Sequence, residues 1–457
     1  MKSNTKRWIV LVLVTVGFTV TLFAQQPTKF NIKEAVAFAQ KNNLTLQSTR
    51  LEEDIANQKV KETLALGLPQ INGSVSYTNN VQIATQRLPN FINGALPPGS
   101  AQGPEFIDAQ FGIANSLTAS AQLNQLIFDG TYFLGLKAAR EFVKISEYQV
   151  KQTEVDVEIN TIKAYYGVLL AEKRIELVNN NIASLDSTLY SLSALAKEGF
   201  AESVDTSRIS LSLSNLNIQK AALEDQRKIM LNVLKLQMGF DVSKEIELTE
   251  TTESLKSALK SANVSGKGSI ANRNEYKLLD QQVKLGVLDK KRYQMAYFPT
   301  LNGFISHQQN TFASEGEFSQ LGDPWFPGTA WGLSLNIPIF SGFMRKSQIK
   351  QADLRLQQYK FQLSQFEQAY QNEVYTAQTN YLRALDKYQL QKKNVDLANE
   401  IRRIAKIKFQ EGLGTSLEYT TAETESNTAE ANNVIALYEL MMAELDYRKA
   451  TGEKILK

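Results

Sequence analysis

The distribution of proline most limits how this chain can fold. All ten prolines lie at positions 27, 69, 89, 97, 98, 104, 299, 324, 327 and 338. None falls between Pro104 and Pro299, and none follows Pro338. A proline inside a helix removes a backbone donor and clashes with the preceding turn, at a cost of about 3 kcal/mol. The proline-free spans are therefore where long helices can run. Gly130 and Gly199 bound one such span, and Gly342 and Gly412 bound another of almost equal length. A continuous helix over either reaches about 100 Å, too long for a compact domain. The following limbs, Gly199 to Gly239 and Gly412 to Gly452, are equal in length to each other. Apolar positions at Val178, Ile182, Leu185, Leu189, Leu192 and Ala196, and at Val434, Tyr438, Met441 and Leu445, step alternately by four and three. That spacing packs helix against helix as a coiled coil. The chain reads as a rod or a tube.

The proline-bearing stretches read differently. Odd positions Phe111, Ile113, Leu117, Ala119, Ala121 and Leu123 are apolar against Ser116, Thr118, Ser120 and Gln122. Trp331, Leu333, Leu335, Ile337 and Ile339 alternate in the same way with Gly332, Ser334 and Asn336. Period two is a strand signal. Ile71, Val75 and Tyr77 against Asn72, Ser74, Ser76 and Thr78 make a third strand, and Leu301 to Gln308 a weaker fourth. The expected strands run about 70–83, 111–128, 300–308 and 330–340, in two pairs each joined by a Pro/Gly-rich loop.

The chain repeats itself once. Phe128-Asp129-Gly130 recurs as Phe340-Ser341-Gly342, Lys197-Glu198-Gly199-Phe200 as Gln410-Glu411-Gly412-Leu413, and Met238-Gly239 as Thr451-Gly452. These three pairs share nearly one offset, whereas Leu68-Pro69 and Phe298-Pro299 stand further apart. The first copy therefore carries extra residues in its strand-connecting loop, where insertions are tolerated. The expected organisation is a first repeat over 25–260, a linker over 261–269 and a second repeat over 270–457. Each repeat holds a helix, two strands and two long helices, the latter over 130–239 and 343–452. Ahead of them, residues 1–24 have the layout of a secretory signal peptide. Lys2, Lys6 and Arg7 precede an apolar run from Ile9 to Phe23, with expected cleavage after Ala24. That run is shorter than the ~20 residues of a spanning helix.

Composition removes several chemistries. There is no Cys, so no disulfide or thiolate site, and His307 is the only His. It lies among Asn, Gln and Ser in the weakest strand and is read as a lumen or surface residue. Without residues 1–24 the chain carries 47 basic and 47 acidic side chains, which argues against nucleic acid as a partner. Gly266-Lys267-Gly268 has a phosphate loop's composition but a linker's setting. No catalytic, metal or cofactor site is expected, and the chain is read as no enzyme.

In order and motif the chain resembles the TolC-type outer-membrane efflux protein family across essentially all of its length after residue 24. The residues that carry the resemblance are Leu68-Pro69 and Phe298-Pro299, then Gln125-Leu126-Ile127-Phe128-Asp129-Gly130 and Ile337-Pro338-Ile339-Phe340-Ser341-Gly342 at the strand-to-helix junctions, and the two Glu-Gly-(Phe/Leu) turns. The resemblance implies a mainly helical fold with membrane strands. A homotrimer shares a 12-stranded β-barrel in outer-membrane lipid, continued by a long helical barrel in the periplasm. It implies a passive exit duct of a tripartite efflux or type I secretion system. Its partners are then a periplasmic adaptor and an inner-membrane pump of RND or ABC type. Four strands alone cannot close a barrel, and an open edge cannot sit in lipid.

By position, Asp205 matches a family acid bonding across to a neighbouring helix pair, and Glu418 a family acid facing the pore; both are expected at the periplasmic gate. Two family residues are absent. Phe409 stands where members carry Tyr, and Gly414 where they carry Arg, so the mouth is expected to be held partly by packing. Arg208 is the local candidate to pair with Asp205. The turns Gly199-Phe200 and Gly412-Leu413-Gly414-Thr415 lie at the far ends of the longest helices and are the expected adaptor-contacting tips. A periplasmic coiled-coil adaptor or scaffold without a pore is the alternative, and a receptor or adhesin on the same barrel a third reading.

Overall fold

The computed structural model describes residues 29–90, 103–199, 201–251, 268–314, 316–317, 319 and 321–456. The expected signal segment, most of the expected linker and Phe200 lie outside the described residues.

The first repeat begins with a short strand β1 (Lys29–Phe30), followed by α1 (Ile32–Asn42), α2 (Leu44–Ala65) and β2 (Gln70–Asn79). A small hairpin of β3 (Thr85–Pro89) and β4 (Phe106–Gln110) precedes β5 (Asn115–Phe128). Then come α3 (Gly130–Lys197), α4 (Ser203–Met238) and β6 (Glu247–Leu248), which pairs in parallel with β1. The second repeat opens with a 3₁₀ turn at Ile270–Asn272 and continues as α5 (Asn274–Met295), β7 (Thr300–Ala313), β8 (Phe326–Asn336), α6 (Met344–Gln410) and α7 (Ser416–Thr451). The two copies match in length: α3 has 68 residues and α6 has 67, while α4 and α7 have 36 each and α2 and α5 have 22 each.

Each long helix is accompanied by two shorter ones laid end to end. Along α3 these are α2 and α4; along α6 they are α5 and α7, with α5 also lying against α3. Where two helices abut, the orphan backbone groups of both ends need partners. Asn43, 6% exposed, supplies them in the first repeat. Its Oδ1 accepts from the Leu46 amide at 3.0 Å and caps α2, while its Nδ2 donates to the Gln237 carbonyl of α4 at 2.8 Å. In the second repeat Arg273 precedes α5, and its Nη1 donates to the Ala450 carbonyl of α7 at 3.1 Å. The guanidinium is also paired with Glu275 at 3.0 Å and Glu373 at 3.1 Å. Around the first junction lies the largest apolar core. Phe30, Ala35, Ala39 and Leu46 pack there with Ile162, Tyr165 and Val168 of α3, Leu234 and Met238 of α4, and Met441 and Leu445 of α7.

The four long strands form one antiparallel sheet in the order β2-β5-β7-β8. Its register gives one face that is mostly apolar, interrupted by His307, Gln309, Thr311 and Thr329. Ile71, Val75 and Tyr77 share a face with Leu117, Ala119, Ala121 and Leu123, and across β7 and β8 with Leu301, Ile305, Trp331, Leu333 and Leu335. The opposite face carries Ser74, Ser76, Thr118, Ser120, Gln122, Ser306, Gln308 and Asn310. Ser74 and Ser120 share a hydroxyl contact of 2.8 Å, and Thr118 donates to Asn310 at 2.9 Å. Among the described residues β2 pairs only with β5 and β8 only with β7, so both sheet edges are open. No described helix is long and apolar enough to cross a membrane.

Strand limits differ from the sequence reading. Residues 80–83 and 111–114 fall outside β2 and β5, and the sheet ends there at Asn79 paired with Asn115. The strand expected at 300–308 continues to Ala313, because Gln309 and Thr311 pair with β5 although they break the apolar alternation. The strand expected at 330–340 lies at 326–336 instead. Pro338 has no N–H for a ladder, whereas Pro327 stands near the start of an edge strand, where proline is tolerated. The register also puts His307 opposite Ala121 and Thr329, on the apolar face. There its Nδ1 lies 2.8 Å from Thr329 Oγ1 and its Nε2 3.2 Å from Gln309 Nε2.

Gly239 ends α4 with φ 69°, and a Cβ there would overlap the carbonyl of Asn42. Gly199 has φ 78° but open space around it. Gly239→Ala is expected to destabilise by about 2 kcal/mol or more, from left-handed strain plus the clash, and Gly199→Ala by only about 1 kcal/mol. Heat-unfolding midpoints of the two variants, compared side by side, check this.

Candidate functional site

The helix pairs α3–α4 and α6–α7 each end in a tight turn. At the first, the Gly199 amide donates to Ala196 O at 3.2 Å. At the second, Gly412 has φ 72°, and the amides of Leu413 and Gly414 both donate to Lys408 O, at 2.8 and 3.0 Å. Thr415 then caps α7, its Oγ1 accepting from the Glu418 amide at 3.1 Å. Leu413 is 81% exposed. Gly414 is enclosed, since a Cβ there would come within 3.0 Å of Lys408 Cβ. Phe200 lies outside the described residues.

Asp205 and Glu418 stand near these turns with different partners. Asp205, in the first turn of α4, accepts a hydrogen bond from the buried Ser416 hydroxyl of α7. This bond joins the two coiled coils, and it takes the place of the expected pairing with Arg208 on the same helix. Glu418 is exposed and lies 3.9 Å from Lys408 of α6.

Next to this bond is a residue that sequence reasoning does not single out. Tyr419 is fully buried, with its ring stacked on Phe409 of α6 at 5.5 Å between centroids and 7° between planes. Its hydroxyl lies 3.3 Å from Thr188 Oγ1 of α3. Leu185 and Leu192 of α3 and Ile209 and Leu213 of α4 surround it. One tyrosine thus ties α7 to three other helices, and burial pushes its hydroxyl pKa up. In the sequence Phe409 reads as a missing hydroxyl; in the structure Tyr419, stacked on it, supplies one. The sequence signal of Tyr419 is a large aromatic in the first turns of α7, followed directly by the small residues Thr420, Thr421 and Ala422.

One turn beyond Tyr419, Glu423 is 2% exposed, and neither carboxylate oxygen has a hydrogen-bond partner. Arg402 Nη1 of α6 lies 3.7 Å away, outside hydrogen-bonding distance. Burial pushes the Glu423 carboxyl above the usual carboxylate range, against the opposing pull of Arg402 and Lys406. Beside it lies a cavity of about 400 Å³ between α3, α4 and α7.

The junction residues sit at the other end of the rods. Pro69 and Pro299 immediately precede β2 and β7. Phe128 pairs with Leu301 after a bulge. Asp129 caps α3, its Oδ1 accepting from the Thr131 amide at 2.7 Å, and Gly130 lets α3 pass close to Met295 of α5. The second junction is built differently. Pro338 and Phe340 lie in a non-strand segment, and Gly342 and Phe343 both have positive φ, 57° and 62°. Among the described residues no group of three or more His, Asp and Glu side chains is placed to hold a metal.

Comparison with known proteins gives a consistent result. The family model described as outer membrane efflux protein matches residues 36–239 and 292–453. The outer membrane protein TolC of Escherichia coli (strain K12) is 22% identical over 468 residues, covering 97% of this chain and 86% of that protein. TolC of Salmonella enteritidis is also 22% identical, covering 81% of this chain and 71% of its own length. Among solved structures, CusC superposes with a TM-score of 0.74 at 15% identity, covering 93% of this chain and 92% of CusC. The open-state outer membrane channel MtrE of Neisseria gonorrhoeae gives 0.69 at 15% identity, covering 93% of this chain and 89% of MtrE. The fold is TolC-like.

Tyr419→Phe keeps the stack and loses the hydroxyl contact, so it is expected to cost about 0.5–1.5 kcal/mol. Tyr419→Ala also opens a cavity at a four-helix seam and is expected to cost about 3–5 kcal/mol. Unfolding midpoints that rank wild type, Phe and Ala in that order, with the larger step to Ala, check the assignment.

Proposed function

The chain belongs to the outer membrane efflux protein family, and we propose that three copies form the outer-membrane exit duct of a tripartite efflux or type I secretion machine. The observation that carries this reading is the four-stranded sheet with one apolar face and two open edges, joined at its base to helices of about 100 Å. An apolar outer face suits lipid, and open edges in lipid require closure. Pairing β2 of one copy with β8 of the next closes the barrel with its Ser, Thr and Gln face towards the lumen. Transport through such a duct is passive. An inner-membrane pump of RND or ABC type supplies the driving force, and a periplasmic adaptor meets the helix tips at Gly199-Phe200 and Gly412-Leu413-Gly414-Thr415. Exposed Leu413 and the small residues beside it favour close approach there.

The internal repeat supports a mouth built on the same trimer. Ser203 and Glu418 hold, in the opposite coiled coils, the places of Ser416 and Asp205, each one repeat away. Within one chain Asp205 takes the Ser416 bond. Closing the ring presents Glu418 of one copy to the Ser203 position of the next. An adaptor or scaffold without a pore would have no use for a sheet with an apolar outer face.

Detergent-extracted protein is expected to have about three times the mass of one chain and to form ion-conducting channels in planar bilayers. A folded monomer with all four strands formed, or a trimer that never conducts, would end this reading.

Asp205 and Glu418 together place six carboxylates around the mouth of a trimer, and acidic rings favour cations. Asp205→Asn with Glu418→Gln should reduce cation preference and weaken block by divalent cations in bilayer recordings. Unchanged selectivity and block would remove both residues from the mouth.

A further inference from the structure

Glu423 is at odds with its surroundings. A carboxylate taken out of water without hydrogen bonds is strongly disfavoured, yet neither of its oxygens has a hydrogen-bond partner inside a single chain, and Arg402 stands off at 3.7 Å. It lies at the seam where α7 packs on the first coiled coil. The adjoining cavity is open on its polar side to Asn181 of α3, to Ser212 and Gln219 of α4, and to Asn427, whose own Oδ1 is also without a partner. The charged and titratable groups facing Glu423 are few. Helix α6 contributes Arg402 and Lys406, and α7 contributes Tyr419 and Glu430. Arg174 of α3 lines the cavity, and the lining residues of α4 are none of them titratable.

We propose that Glu423 is a proton-operated positioning residue of the mouth. Protonated, it rests neutral in the seam and holds the two coiled coils together; ionised, it draws water into the cavity and lets α7 move away from α3 and α4. The role rests on the duct reading in that the moving seam borders the mouth.

The sign follows from linkage. The packed arrangement raises the carboxyl above its value in a hydrated, opened seam, chiefly through burial. The packed form therefore binds the proton more tightly, so acid favours closure. That preference is complete below the opened-state pKa and is lost as pH rises through the packed-state pKa. Each linked proton moves the open-to-closed ratio by up to about tenfold per pH unit. Arg402 pulls the other way, so removing it should move the transition to higher pH. An acidic ring at the mouth alone predicts no such effect of Arg402 or Glu423.

The chain has no Cys, so spin labels at Ser207→Cys and Glu425→Cys, both exposed, report the separation of α4 and α7 in the assembled protein. The distance is expected to lengthen by about 2 Å or more between pH 5 and pH 8.5. Glu423→Gln, which mimics the protonated acid, should hold the short distance at both pH values. Arg402→Gln should shift the transition upward. The open probability in bilayers should follow the same three patterns. An unaltered pH response in Glu423→Gln, or an unmoved transition in Arg402→Gln, would overturn the proposal, and the second result decides even where the first variant fails to assemble. A pH-dependent distance without conductance in any variant counts against the duct and leaves the role of Glu423 standing.

Discussion

A helix of about 100 Å needs a partner along its whole length, and the rest of this structure depends on how that partner is supplied. Among the described residues neither α3 nor α6 has a second unbroken helix running along it. Each has two helices butted end to end, which puts a helix C-terminus and a helix N-terminus inside the packed region. Both ends carry backbone groups without internal partners. Asn43 settles this in the first repeat with one amide, capping α2 and bonding to Gln237 of α4. Arg273 settles it in the second with a charge, and Glu275 and Glu373 are recruited to keep that charge paired. The broken partner is also what allows two strands to leave each repeat between the short helix and the long one. The barrel end and the mouth end are thus parts of one solution.

Much of this was legible because it rests on prohibitions. Proline cannot occupy a long helix interior, so the proline-free spans mark where the rods run, and repeated Gly motifs mark where they turn. Alternation found β2, β5 and β8, since one face of each must be apolar. Their limits were less legible. Gln309 and Thr311 extend β7 because β5 offers a paired backbone, which no side-chain pattern records. Residues 337–339 keep their alternation beyond the strand, and Pro338 signals the end.

The acids near the turns were legible in their position along the chain but not in their partners. Asp205 and Glu418 were found by their distance from the turn glycines, yet the partner of Asp205 is a serine on another coiled coil, 211 positions away. Spacing cannot choose among partners so distant in sequence. Tyr419 escaped for a related reason. Its importance comes from three other helices meeting at one ring, whereas a sequence presents it as one tyrosine on one helix. Gly414, read as the loss of a bonding side chain, also proves to be a position where a side chain would meet Lys408 and Phe409.

In the proposed trimer the repeat would make the closed ring nearly six-fold in backbone, and the side chains would make it three-fold in chemistry. With one repeat laid on the other, Asp205 meets Glu418 and Ser203 meets Ser416, so the bonding positions are preserved. Phe409, Tyr419 and Glu423 instead meet Ala196, Thr206 and Ser210. The stacked rings and the unpaired carboxyl therefore belong to the second coiled coil alone. Alternate seams of the proposed ring would then differ in strength and, through Glu423, in the proposed response to protons. Seams of equal strength would have to loosen all together. Unequal ones would let one coiled coil of each chain swing while the other holds the proposed ring, so that a mouth could widen without the trimer coming apart.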